Sequence, residues 1–221
     1  MSTVGSVVRI KNREVSANTY LCPIDGSDGC LLIDPGLDRD AIETALHEHG
    51  LTPTAIVCTH GHFDHLGSAE HFRRRYSIPV HLHSADAKVA RRSNFLMLSL
   101  KLQTRIVVPE VFTYLDDRVG KIASDGVEIV QVPGHTPGSI ILRVGGYAFT
   151  GDTMYRDDVW RMPWPEEDGE QLVTSVRSLW ELLPDETHVY PGHGGSATLG
   201  FIKERNAPMR RMLGLDVGGI R

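Results

Sequence analysis

Three histidines and one aspartate fall within six positions of the stretch THGHFDHLG, at His60, His62, Asp64 and His65. Two later stretches read Pro-Gly-His, ending at His135 and His193, and a Gly-Asp pair ends at Asp152. Together these residues offer five imidazoles and two carboxylates, a donor set that favours zinc, iron or manganese. A structural zinc site takes four ligands, usually with cysteines, and closes its shell. Seven donors exceed one tetrahedral shell and suit two ions with an open position for water. His60 and His62 lie two residues apart, so an extended loop points them the same way. One grouping puts His60, His62 and His135 on the first ion and Asp64, His65 and His193 on the second, with the two oxygens of Asp152 bridging. Asp64 is also placed to orient a reacting water or move its proton. An isolated His-x-His means little: His81 and His83 sit in a strand-like stretch without a glycine turn and are set aside. His47, His49 and His71 fall on expected helices and are assigned to the surface.

The elements around these residues read as strands ending in turns. VVRI (7–10), TYLC (19–22) and CLLID (30–34) have strand composition. A helix is expected from Asp38 as N-cap to Gly50. TAIVCT (54–59) then runs into His60, and Leu66, Ala69, Phe72 and Tyr76 mark one following helix. IPVHLH (78–83) is a further strand, and 84–118 is helical or irregular. GVEIVQV (126–132), SIILRV (139–144) and YAFT (147–150) are strand-like, with a hairpin signal at Gly145–Gly146. Leu172, Val173, Val176, Leu179, Trp180 and Leu183 mark a helix that Pro184 ends. THVY (187–190) is a last strand and 198–213 a last helix. This order predicts two similar halves, each a sheet covered by helices, packed sheet to sheet. No linker or low-complexity segment interrupts the chain, so 1–221 is expected to form one domain.

The bulk properties narrow the class. The 221 residues are 41% hydrophobic and 23% charged, with a net charge of −5. That balance disfavours nucleic acid as a partner. The N-terminus lacks the apolar core of a signal peptide, and no run approaches the ~20 apolar residues of a membrane span. Three cysteines without a C-x-x-C spacing fit a reducing, cytoplasmic setting. No G-x-S-x-G elbow offers a serine nucleophile.

The motifs NTYLC, LLIDPG, THGHFDHLG, PGHTPGS, FTGDT and YPGHG, in this order, resemble the metallo-β-lactamase fold superfamily over nearly the whole chain. PGHTPGS, GDTMYR, and YPGHG followed by TLGFIKERNAP are most similar to its glyoxalase II-like branch, the hydroxyacylglutathione hydrolases and related thioesterases. The resemblance implies an α/β chain (α+β in sheet content) folded as a four-layer αββα sandwich, with the metal site at one edge of the two sheets. It implies the same two-metal assignment and places Asp34 behind the ligands as a support. Asp152 separates the chain from lactamases proper, which generally carry another residue there. Two features depart from the branch. The 28 residues after His193 leave no room for the helical C-terminal domain of full-length glyoxalase II enzymes. The segment DDVWRMPWPEEDG replaces the pattern of many short relatives, with Arg161 at the expected basic substrate position.

The expected function is a dinuclear metallo-hydrolase with two divalent ions, first zinc, otherwise iron or manganese. A metal-bound hydroxide would attack a small-molecule thioester. The hydrophobic segment 94–115 is either an acyl pocket or plain core. The alternatives are an iron-dependent persulfide dioxygenase, a lactonase or β-lactamase, and a non-catalytic ligand-binding member of the fold.

Overall fold

The computed structural model describes residues 6–24, 27–115, 126–162 and 164–215. Strands β1 (Val8–Lys11), β2 (Asn18–Pro23) and β3 (Gly29–Ile33) lead into α1 (Arg39–Glu48) and β4 (Thr52–Val57). The helices α2 (Phe63–Leu66) and α3 (Ala69–Tyr76), then β5 (Val80–His83), α4 (Ala87–Ser99) and β6 (Thr113–Leu115) complete the first half. The second half contains β7 (Val127–Gln131), β8 (Ile140–Val144), β9 (Tyr147–Gly151) and α5 (Gly169–Leu182). It closes with β10 (His188–Pro191), β11 (Ala197–Thr198), α6 (Leu199–Arg205) and α7 (Ala207–Met212).

The strands form two mixed sheets, ordered β1-β2-β3-β4-β5-β6 and β11-β10-β9-β8-β7. In the first, β1 to β3 pair antiparallel and β3 to β6 pair parallel. Alternation along each strand sends side chains to both faces. Leu31 and Ile33 of β3 join Phe149 and Leu142 of the other sheet in the layer between the sheets. Cys30 and Leu32 of the same strand face α1, α3 and α4, with Ile42, Phe72 and Met97. Val132, Ile141 and Ala148 pack under α5 to α7 against Leu172, Leu179, Ile202 and Met209. Burial on both faces explains why β3 and β4 read as apolar runs rather than alternating ones. The result is the expected α/β sandwich of four layers.

Several boundaries differ from the sequence expectation, each for a local reason. The helix expected across Leu66 to Tyr76 is two helices. Between them, the Ser68 N–H and hydroxyl donate to the carbonyls of Pro35 (2.9 Å) and Gly36 (2.6 Å). The helix expected over 198–213 is also two. Asn206 leaves the first, accepts from Met209 N–H (2.9 Å) and donates to the carbonyls of Tyr155 and Asp158. α5 begins at Gly169, because the Asp168 carboxylate accepts from the N–H groups of Glu170 and Gln171. It ends at Leu182, since Leu183 precedes a proline and is held extended (φ −90°, ψ 133°). Asp38 stands at the start of α1, but its carboxylate pairs with Arg13 at 2.7 and 2.8 Å and makes no capping bond. Strands β6 and β11, of three and two residues, escaped the sequence pattern. Residues 116–118 of the 84–118 expectation lie outside the described residues.

Candidate metal centre

Four strands deliver the chemistry at one edge of the sandwich. The turn after β4 carries His60 and His62, α2 carries Asp64 and His65, and the turns after β7, β9 and β10 carry His135, Asp152 and His193. Bonds between the two sheets hold this edge together. Ile140 N–H donates to the Thr59 carbonyl (2.9 Å), and Asn18 N–H to that of Gly192 (2.7 Å). The Tyr20 hydroxyl donates to the Pro191 carbonyl (2.6 Å). Two glycines permit the close approach. Gly134 has φ +145°, and a Cβ there would run into the Leu172 backbone. A Cβ on Gly192 would run into Asp152 Oδ1 and His65.

All seven sequence-selected residues meet, each at most 9% exposed. Their donor atoms form three overlapping groups, within 4.8 Å inside each group: His60, His62 and His135; His60, His65 and Asp152; Asp64, His65 and His193. In the first, His62 Nδ1 stands 3.1 Å from His60 Nε2 and 3.0 Å from His135 Nε2. The far nitrogens determine which lone pairs point inward. His62 Nε2 lies 2.9 Å from Glu166 Oε1. A proton donated there leaves Nδ1 bare. His60 Nδ1 lies 3.1 Å from Thr59 Oγ1, whose own proton goes to Asp34 Oδ2 (2.7 Å). Asp34 also accepts from the Thr59 N–H (2.7 Å) and from His65 Nδ1 (2.9 Å). Asp34 thus stands behind both His60 and His65, on a backbone held at φ +50°.

In the remaining groups the spacings are longer than ordinary hydrogen bonds. His193 Nε2 is 3.4 Å from Asp64 Oδ2 and 3.5 Å from Asp152 Oδ2. His65 Nε2 is 3.5 Å from Asp152 Oδ1, and both atoms are buried without a hydrogen-bond partner. Asp152 Oδ2 is also 3.7 Å from His135 Nε2, so this carboxylate touches both sides of the cluster. Burial drives the His60 imidazole well below its usual range, and the imidazoles of His65, His62 and His135 add to the shift. Burial alone would lower His65 as well, but Asp152, Asp64 and Asp34 outweigh it and raise that imidazole to about 10. Burial pushes Asp64 and Asp152 upward, yet the facing imidazoles prevail and hold both carboxylates below their usual range.

These observations fit divalent cations. Tetrahedral Zn–N bonds of ~2.0–2.1 Å place donor atoms roughly 3.3 Å apart. The observed 3.0–3.8 Å separations bracket that value. His65 Nε2 and Asp152 Oδ1, buried and unpartnered 3.5 Å apart, are costly without a shared cation. Among the described residues, no lysine or arginine pairs with Asp34, Asp64 or Asp152.

Some contributors carried no sequence motif. The buried Asp86 carboxylate accepts from Gly61 N–H, Thr136 Oγ1 and Gly138 N–H, each at 2.7 Å. It thereby ties the His60–His62 turn to the His135 turn. Glu167 Oε2 lies 3.6 Å from His135 Nδ1. Arg161 does not join the cluster: its guanidinium lies 3.4 Å from Glu167 Oε1 and borders a separate depression with Gly169 and Gln171. His83 caps a single 3₁₀ turn by accepting from Ala85 N–H. Above the cluster lies a cleft of about 250 Å³, with His62, Asp64, His135, Asp152 and His193 on its floor.

The family model of the metallo-beta-lactamase superfamily matches residues 13–193. A probable metallo-hydrolase of Bacillus subtilis, YqgX, is 31% identical over 81% of this chain and 86% of its own. The hydroxyacylglutathione hydrolase GloC of Haemophilus influenzae is 30% identical over 82% of this chain and 88% of its own. The crystal structure of TTHA1623 in a di-iron-bound form superposes with a TM-score of 0.81 at 30% identity, covering 90% of this chain and 98% of that one.

Proposed function

Because the chain belongs to the metallo-β-lactamase superfamily, we propose that its 221 residues act as one dinuclear metallo-hydrolase domain that cleaves a small-molecule thioester. The observation that carries this reading is the convergence of seven buried donors into overlapping groups around a cleft floor. His60, His62 and His135 would hold one ion, and Asp64, His65 and His193 the other, with Asp152 shared. Zinc is the first choice for this donor set. Iron is the specific alternative, given the di-iron form of TTHA1623. Such ions supply Lewis-acid polarisation of a carbonyl and acidify water.

The chain's own residues do the rest. Asp34 and Glu166 hold three imidazoles in the tautomers that face the ions. Asp64, on the cleft floor beside His193, orients the attacking water and holds its proton in transit. Water adds to the acyl carbon, the C–S bond breaks, and the products are a carboxylic acid and a thiol. The three free, buried cysteines fit a reducing cytoplasm. Among the described residues, no helix is long and apolar enough to cross a membrane.

The test is metal content on the protein purified without added metal, followed by turnover of lactoylglutathione, acyl-CoA, lactones and a persulfide. Thioester hydrolysis lost on chelation and restored by zinc is expected. A single iron with oxygen uptake on the persulfide would overturn the reading.

A further inference from the structure

The cleft over the metal centre is walled by hydrocarbon. Val15, Leu96, Leu100, Trp160, Met162 and Trp164 line it, and no lysine or arginine is among its described lining residues. Val15, Leu100, Trp160 and Met162 are 42–45% exposed, so four large apolar side chains face solvent at one mouth. Apolar surface gathered in one concave place marks a binding site. The wall also touches the floor. The Trp160 ring lies 5.1 Å from that of His193, and Trp164 lies 6.5 Å from His62. A chain lying along the wall therefore brings its carbonyl end to the donor cluster. Arg161, between the wall residues Trp160 and Met162, is turned to Glu167 and borders another depression.

We propose that the cleft selects an apolar acyl group, linear or aromatic, and that the substrate is a thioester of a medium-chain or arylalkyl carboxylic acid rather than of a short hydroxy acid. The proposal rests on the hydrolase reading above and names its substrate class. The size follows from the space. At ~30 Å³ per small non-hydrogen group, the cleft's 250 Å³ admits roughly eight such groups. Recognition falls on the acyl side, because no lysine or arginine is among the described residues lining the cleft to meet the carboxylates of a glutathione carrier.

The experiment uses the zinc-reconstituted full chain and one neutral thiol, N-acetylcysteamine, carrying acetyl, lactoyl, butyryl, hexanoyl, octanoyl or phenylacetyl groups. Burial of one methylene corresponds to roughly a three- to fourfold change. kcat/KM should climb by about that factor per methylene up to hexanoyl or octanoyl, and the lactoyl ester should fall below butyryl. Leu100→Ala should lower the octanoyl-to-acetyl ratio of kcat/KM about tenfold, with metal content unchanged. Leu100→Lys should abolish the length dependence.

Tryptophan fluorescence, sensitive to Trp160 and Trp164, provides a readout independent of turnover. Octanoate should bind more tightly than butyrate by the same factor per methylene, and lactate should not bind in the same range. A flat or falling series, with the lactoyl ester turned over best, would overturn the proposal while leaving the hydrolase reading intact. If no ester is hydrolysed but carboxylates bind with the expected length dependence, the hydrolase reading falls and the apolar cleft stands. Loss of both length dependences overturns the proposal outright.

Discussion

In and beneath the floor of the cleft His60, His62, His65 and His135 are at most 4% exposed, whereas Trp160 and Met162 on its wall are 45% and 43% exposed. The floor consists of polar groups that burial would make costly, so most have a named partner. Thr59 and Asp34 stand behind His60 and His65, Glu166 behind His62, and Asp86 behind the two turns that carry the histidines. The wall consists of apolar side chains whose packing tolerates exchange. Its energy is non-directional and scales with area. One region is therefore constrained atom by atom, and the other only by volume and polarity. A chain can keep the first and alter the second, changing substrate without losing chemistry.

The contrast predicts how each region responds to substitution. His60→Ala and Asp152→Ala should lower kcat/KM by about 10³-fold or more, since the ions supply several kcal/mol of stabilisation. Metal analysis should show reduced occupancy; unchanged turnover in either variant would break the floor assignment. Asp86→Ala strands three buried donors and should cost about 3 kcal/mol. That corresponds to roughly 6–12 °C in Tm for a chain of this size, measured by thermal unfolding. Recovery of part of that loss in Asp86→Asn would sharpen the role to hydrogen-bond acceptance.

Glu166 tests the border, because it belongs to the wall segment yet bonds a floor histidine. Glu166→Ala should weaken metal binding about 10- to 100-fold in chelator competition, with a smaller effect on acyl preference. If acyl preference changes more than affinity, Glu166 belongs to the wall. Arg161→Ala should change stability by under about 0.5 kcal/mol and kcat/KM by less than twofold, because its pair with Glu167 is exposed on the arginine side. A tenfold loss with a carboxylate-bearing thiol carrier would bring Arg161 back into substrate recognition.

The ligand turns were legible in the sequence because each is a local event: a strand ends, a glycine or proline-glycine turns the chain, and a histidine or aspartate follows. The seven residues chosen on that pattern meet in space. The boundaries that differed did so where a distant partner acted. Ser68 bonds Pro35 and Gly36, Asn206 bonds Tyr155 and Asp158, and Asp38 gives its carboxylate to Arg13. None of these partners lies within a window that periodicity can see. The hydrophobic segment 94–115 divided as well. Leu96 and Leu100 reached the cleft, Met97 went to the core, and Phe95 and Leu98 remained 75% and 66% exposed.

What the sequence determined by itself was the donor set, the strand-turn grammar that presents it, and a layered α/β fold able to bring strand ends to one edge. Backbone preference and hydrophobic period act over a few residues and are written locally. Only the tertiary structure decided which carboxylate supports which histidine and which apolar residues form the wall. Glu166 meets His62 across 104 positions, and Asp86 meets Thr136 across 50. In the sequence each is an ordinary acidic residue. Its role arises when packing two sheets removes water around a histidine or a turn and leaves that carboxylate as the acceptor within reach.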